Sequence, residues 1–327
     1  MLKYIGRRIL QMIPVFIGVT ILLFVMTTVV PGDPVKMITG ERAISPAVYN
    51  QIRAEYGFDQ PLPKQYLMYL NRLLHGDLGQ SLMRGRPVKD MLLDKFPYTM
   101  QLALCAIVIE IIIGIGAGMI SAVKRYSYAD VLVTLSTSIL VSLPVFWLGT
   151  LLQLFFGIYM KQWTNGAFYL PMSGAGGPGS PFPQWVYLIL PSITLASVST
   201  AYAARIMRSQ LLEVMGQDYV RTATAKGLAA SAVLWRHSIK NAMIPVVTFI
   251  GIDFGAMMSG AILTETVFNW PGVGNEIYNA VVRRDWPVVM GGVIIIVVVV
   301  MIINLLVDIS YAFFDPRIRY GGGGEES

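Results

Sequence analysis

The chain has 327 residues, 55% of them hydrophobic and only 13% charged, with a formal net charge of +6 and a mean hydropathy of +0.60. A water-soluble domain carries about 25% charged residues, so this composition argues against a soluble domain and for a lipid bilayer as solvent. One cysteine, Cys105, excludes an internal disulfide; two histidines far apart in sequence, His75 and His237, argue against a Cys/His metal site; no basic patch interleaved with aromatics supports a nucleic-acid partner.

A spanning helix needs about 20 mainly apolar residues, and six stretches reach that length: 9–30, 99–123, 131–159, 185–207, 242–264 and 287–310. The basic start before the first stretch imitates a signal peptide. However, the apolar run is too long, and Pro31-Gly32-Asp33-Pro34 follows where a small-residue cleavage site would stand. The third stretch is long enough to tilt, or to break at Pro144, which lacks a backbone donor.

Orientation follows from Lys and Arg in the short loops. Lys3, Arg7 and Arg8 precede the first span, and Lys124 and Arg125 follow the second. Arg205, Arg208, Arg221, Lys226, Arg236 and Lys240 surround the loop after the fourth, and Arg317 and Arg319 end the chain. The opposite loops carry Lys161 alone, or Arg283 and Arg284 beside Glu276 and Asp285. Both termini are therefore expected inside, with the long segment 31–98 outside.

That outer segment reads as small amphipathic helices. Ser45 caps the first, with Pro46 at its first position and Gly57 as its stop. The second runs over 63–75, with Leu67, Leu70 and Leu74 on one stripe and Gly76 as its end. A third covers 88–94. They read as packing against spans or lipid, or as a docking platform for a delivered ligand or an external partner. The loop at 161–184 contains TNGAFYLPMSGAGGPGSPFP, whose glycines and prolines forbid regular structure. It reads by default as a flexible linker, with a mobile gate as the sharper alternative.

Charged groups at membrane depth are costly and face a bundle interior or an aqueous cavity. Glu110 and Asp253 are central in their spans, and a polar translocation path and plain helix packing are both open for them. Asn304 and Asp308 read as packing residues. The small residues Gly114, Gly116 and Gly118, and Gly251 with Gly255, allow close helix approach. The first run lacks the βαβ context that a dinucleotide fingerprint requires.

The most basic short loop follows the fourth span, where residues 213–227 read EVMGQDYVRTATAKG. Asp218 suits an N-cap and Gly227 a stop for a short helix, with Tyr219, Thr222, Ala223 and Lys226 on one face. Such a helix between two spans is a handle that a partner can grip; a solvated loop is the other reading that spacing leaves open. The chain has no nucleotide-binding motif of its own.

Residues 219–227, continued by HSIKNAMIP at 237–245, resemble the cytoplasmic loop of ABC importer permeases, in particular the peptide/nickel class. RRILQMIPVFIGVTILLF at 7–24, PGDP at 31–34, GDLGQS at 76–81, ILTETVFNWPGVG at 262–274 and DPRIRY at 315–320 match in the same order. The likeness is nearest to the first permease of dipeptide and oligopeptide systems. The sequence departs in three respects: Arg221-Thr222-Ala223 stands where the general importer loop has Glu-Ala-Ala, Lys240 stands where the general pattern places a proline sooner after the glycine, and Asp253 stands where glutamine is commoner in relatives. The first two are usual in the peptide class. The tail 321–327 does not resemble the family and reads as disordered.

The resemblance implies an all-α integral membrane protein with six transmembrane helices and both termini inside. It divides the chain into a first span with its outer segment (1–98), a five-helix permease core (99–320) and the tail. It also implies a second homologous permease, two ATP-binding subunits, an extracytoplasmic solute-binding protein, and a lipid environment in the bacterial plasma (inner) membrane. ATP and Mg belong to the partner subunits, and this chain is expected to hold no catalytic residue, metal or cofactor. Coupling to the ATPases falls on Asp218, Tyr219, Arg221, Thr222, Ala223, Lys226 and Gly227, with Asn241 and Pro245 shaping the return into the fifth span. Glu110, Pro144 and Asp253 are the translocation-path residues. The cargo implied is a dipeptide or oligopeptide, with a nickel chelate, glutathione or another small solute as the alternative. A secondary transporter is disfavoured because no internal repeat is present and six spans are few for one. A membrane enzyme is disfavoured because no acid/base or metal constellation is present, and a passive channel because it would need a ring of identical subunits.

Overall fold

The computed structural model describes residues 2–28, 34–39, 44–55 and 57–314. Among them every regular element is helical, and an isolated bridge joins Gln80 to Pro87. The matches read at 31–33 and 315–320, and the tail, lie outside the described residues.

Helix α1 (Leu2–Thr28) is followed by three short helices, α2 (Pro34–Thr39), α3 (Pro46–Glu55) and α4 (Leu62–Leu74). The caps follow the expectation. The Val48 amide donates to Ser45 Oγ at 3.3 Å, and the chain turns at Gly57 (φ +68) and Gly76 (φ +74), a left-handed geometry that glycine adopts without a Cβ clash. The expected third outer helix is not separate. The helix begun at Val88 runs on through Pro97, and α5 (Val88–Ile109), a π-helical turn (Glu110–Gly114) and α6 (Ile115–Val123) form one run of 36 residues.

The next apolar stretch is broken: α7 (Tyr128–Ser142) and α8 (Val145–Leu152), extended through a π-helical turn (Gln153–Tyr159) and α9 (Met160–Trp163), meet at 108°. Leu143 is extended (ψ 133), as the residue before a proline tends to be. The hydroxyls of the TLSTSILVS stretch bond back along the helix, Ser136 to Leu132 O, Ser138 to Thr134 O and Ser142 to Ser138 O, each at 2.8 Å. These bonds let a serine-rich segment sit in an apolar setting. The chain continues as α10 (Gln184–Met215), α11 (Asp218–Ala225), α12 (Ala230–Ala232), a π-helical turn (Val233–Ile239), α13 (Lys240–Val267), α14 (Val273–Arg283) and α15 (Trp286–Phe314). Among the described residues five stretches are long and apolar enough to cross a bilayer: Ile5–Met26, Val88–Val123, Gln184–Met215, Ala230–Ser259 and Trp286–Ile309; the bent α7–α8 pair makes a sixth if it crosses as one.

Two compact units result. In the first, residues 1–99 and 271–327, α15 packs on α1 and α14. Its core joins Val88, Met91 and Leu92 to Val273, Ile277, Ala280 and Val288. Gly292 is needed there, since a Cβ would come within 2.4 Å of Ile277 Cγ1.

In the second unit, residues 100–270, α10 is the central post and touches α6, α7, α8 and α13. Its buried face is rich in small residues, among them Ser192, Ala196, Ser199, Ala203 and Ala204. Lipid tails are as apolar as leucine, so helices associate in a bilayer through close packing and hydrogen bonds. Gly118 shows this: a Cβ would meet Ala204 O at 2.5 Å and Met207 Cβ at 2.7 Å. Gly114 also faces α10, a Cβ there meeting Ala203 Cβ at 2.9 Å and Thr200 O at 3.1 Å, whereas Gly116 has nothing within 4 Å. The loop read as a flexible linker is irregular but tied down. Gln153 Nε2 donates to Met172 O at 2.7 Å and to Val267 O at 3.0 Å, and Gly174 N donates to Phe268 O at 2.8 Å.

Candidate functional site

Helix α11 hangs between the ends of α10 and α13. Gln217, in extended geometry, occupies the N-cap position without a side-chain bond, so Asp218 is the first helical residue and not the cap expected from sequence. Asp218 still suits the site, because a carboxylate in the first turn complements the helix dipole. Its carbonyl accepts from Thr222 Oγ1 at 2.9 Å. The Arg221 guanidinium lies 3.7 Å from its carboxylate with both side chains exposed, a geometry that holds little energy. Gly227 (φ +79) ends the helix, its amide donating to Thr224 O at 2.9 Å.

The two faces of α11 differ. Val220 and Ala223 are buried against Val233, with Val214 beside them. Tyr219, Arg221, Thr222 and Lys226 are exposed. Ala223 therefore does not share the open face with Tyr219, as the sequence had it. The Val220–Ala223 pair is the apolar stripe that seats the helix on its own chain. Asn241 and Tyr219 are brought together: Asn241 Nδ2 donates to the Tyr219 hydroxyl at 2.9 Å and to His237 O at 3.0 Å. Pro245, one turn later inside α13, has no N–H to return to the Asn241 carbonyl. The result is a short helix braced on two long ones, showing a tyrosine, an arginine and a lysine outward.

The polar interior lies in the same unit. Glu110 opens the π-helical turn and is fully buried. Asp253 of α13 is its carboxyl neighbour, and Ser199 of α10 stands beside Asp253. No hydrogen bond reaches either carboxylate oxygen of Glu110 or Oδ2 of Asp253. Pro144 occupies the α7–α8 corner. The structure thus joins Glu110 and Asp253, two of the three residues expected to line a path, and leaves Pro144 apart.

Sequence reading missed a polar cluster in the first unit. Asp285, 4% exposed, accepts from Ser81 Oγ at 2.6 Å and from the amides of Leu82 (3.2 Å) and Met83 (3.5 Å). Arg84 pairs with the buried Glu276 at 3.0 Å. GDLGQS at 76–81 was visible as a motif, but its pairing with a residue some two hundred positions away leaves no local signal.

Two family models match the chain. "Binding-protein-dependent transport system inner membrane component" covers residues 114–320, and the N-terminal "Binding-prot-dependent transport system membrane comp" covers residues 1–103. The chain is 40% identical over 337 residues to the dipeptide transport system permease protein DppB of Escherichia coli (strain K12), covering 98% of this chain and 99% of that one. It is 39% identical over 335 residues to the di/tripeptide transport system permease protein DppB of Pseudomonas aeruginosa (98% and 99% covered). It is also 39% identical over 321 residues to the glutathione transport system permease protein GsiC of Pectobacterium atrosepticum (98% and 100% covered).

Proposed function

The chain belongs to the binding-protein-dependent transport system inner membrane component family, and on that premise we propose that it is the permease subunit of an ATP-driven importer of dipeptides or oligopeptides. The observation that carries the reading is full-length similarity to dipeptide permeases. It is a multi-pass protein of the bacterial inner membrane that works with a solute-binding protein and ATPases and performs transport, not catalysis. In this reading a second, homologous permease completes the pathway and two ATPase subunits bind below. Both termini and α11 face the cytoplasm, and 34–98 faces outward.

Coupling then runs through α11. Tyr219, Arg221, Thr222 and Lys226 meet a groove on one ATPase, Asp218 and Gly227 fix the helix ends, Ala223 seats it, and Asn241 with Pro245 holds its return. ATP and Mg are bound by the ATPases. Closure of the ATPases on ATP displaces α11 and opens the pathway outward; hydrolysis resets it. Glu110, Asp253 and Pro144 belong to the polar path. Glutathione is the second cargo reading, favoured by the likeness to a glutathione permease.

The test is co-purification from native membranes in mild detergent. Recovery of a second permease and ATPases is expected, and a chain that comes down alone refutes the reading. Gly227→Asp sharpens it. No atom lies within 4 Å of the added Cβ, and aspartate tolerates left-handed geometry better than most residues. Insertion should persist while uptake is lost; normal uptake removes the coupling role.

A further inference from the structure

Arg208 stands about two turns before the end of α10. Its guanidinium forks onto Asp130 of α7, Nε to Oδ1 at 2.8 Å and Nη2 to Oδ2 at 2.9 Å. Nε also donates to Ser121 Oγ of α6 at 3.0 Å, and that hydroxyl donates to Asp130 Oδ1. The Tyr126 amide, in the turn between α6 and α7, donates to Oδ2 at 3.0 Å. Each oxygen of one carboxylate thus accepts two bonds, from three elements. Asp130 is 5% exposed and Ser121 fully buried. One turn earlier, Arg205 Nη2 donates to Ser138 Oγ of α7 at 3.1 Å.

We propose that Asp130, Arg208 and Ser121 are positioning residues that lock the ends of α6 and α7 to α10, so that a displacement of α11 becomes a displacement of all three spans. The proposal rests on reading α11 as the ATPase contact. The link from α11 to α10 is short and stiff: Gly216 and Gln217 join them, and Val220 and Ala223 press beside Val214. Between α10 and α6 the backbones touch at Gly118. Apolar helix faces slide past one another under shear. A bidentate guanidinium–carboxylate pair fixes orientation and register as well as distance. The clamp therefore resists sliding between helices that already pack together, α6 on α10 at its glycines and α7 along α10, which is why its loss should spare the fold and damage transmission.

The experiment uses the complete importer in proteoliposomes, with both permeases, the ATPases and the binding protein, and reads peptide imported per ATP hydrolysed. Asp130→Asn removes the charge and keeps the shape; Arg208→Lys keeps the charge and removes the fork. The expected result is assembled complexes that still hydrolyse ATP, with the import-to-hydrolysis ratio lowered about tenfold. A wild-type ratio in both variants overturns the proposal. So does a proportional fall of import, hydrolysis and complex yield, which marks a merely structural pair. If neither variant assembles, Ser121→Ala, which removes one bond, decides by the same ratio. Tyr219→Ala with Arg221→Ala separates the two levels. If that variant leaves hydrolysis and import unchanged, the coupling reading of α11 falls. If it impairs them while the clamp variants keep the wild-type ratio, only the clamp falls.

Discussion

Asp285→Ala should loosen the 81–84 turn without unfolding the first unit. The carboxylate accepts from Ser81 Oγ at 2.6 Å, from the Leu82 amide at 3.2 Å and from the Met83 amide at 3.5 Å, the last at the limit of a hydrogen bond. Bonds to a charged group are worth about 1.5–3 kcal/mol each. The Ser81 contact is buried and counts in full, whereas water reaches the half-buried Leu82 amide and discounts the second. The expected loss is therefore about 2–4 kcal/mol of local stability. Each 1.4 kcal/mol is tenfold, so amide hydrogen exchange at Leu82 should accelerate by roughly 30- to 700-fold. Asp285→Asn retains one acceptor oxygen and should fall between. The assay is hydrogen–deuterium exchange of the purified protein in detergent, followed on peptides covering 79–86. Exchange at Leu82 close to the wild-type rate in the alanine variant would show that the turn stands by its own backbone bonds, such as Ser81 N to Arg86 O at 2.9 Å, and would refute the account.

Gly118→Ala should destabilise the second unit by about 1–3 kcal/mol, because the added Cβ overpacks against backbone. Gly116→Ala, in open space, should stabilise α6 by about 0.5–1 kcal/mol; thermal melts in detergent that reverse this order would contradict the α6–α10 contact. Tyr219→Phe removes the acceptor for Asn241 Nδ2 at an exposed site and should cost at most about 1 kcal/mol, read by proteolysis of the α11 loop. Burial pushes the Tyr69 hydroxyl of α4 up to about 12 from 10.0. The folded state thus favours the neutral phenol, so its contribution is complete below pH 10.0 and is lost as pH rises towards about 12. Tyr69→Phe, which removes a buried hydroxyl without a hydrogen-bond partner, should abolish that alkaline loss in a melt-versus-pH series.

Long features were legible because they depend on composition over many residues. Apolar runs gave the spans, Pro144 gave the break, and Gly57, Gly76 and Gly227 gave helix ends because left-handed geometry selects glycine. Helix α14 was not legible. Glu276, Arg283, Arg284 and Asp285 read only as charges of an outer loop, yet Glu276 and Asp285 are buried and Ile277 and Ala280 enter the core. The partners that make those charges tolerable, Arg84 and Ser81, come from a distant part of the chain. On α11 the exposed Tyr219, Arg221 and Lys226 were found from their residue types. The turn of Ala223 onto Val233 was not, because a small residue serves a docking face and a seat equally well. Arg208 was legible only as a positive charge, since its fork onto Asp130 is fixed by helix packing.

The corner between α7 and α8 sets a condition on what surrounds this protein. Fifteen residues make α7 about 22 Å long, short of the roughly 30 Å of a hydrocarbon layer. The amide that the Leu140 carbonyl would meet in a continuous helix is the nitrogen of Pro144, which carries no hydrogen. Ser142 and Pro144 are exposed on this chain. Acyl chains donate no hydrogen bonds, so irregular backbone at that depth is tolerated only against protein or beside a water-filled space. Where the bent α7–α8 pair crosses as one span, the flank of the subunit that carries this corner is a surface that oil cannot wet.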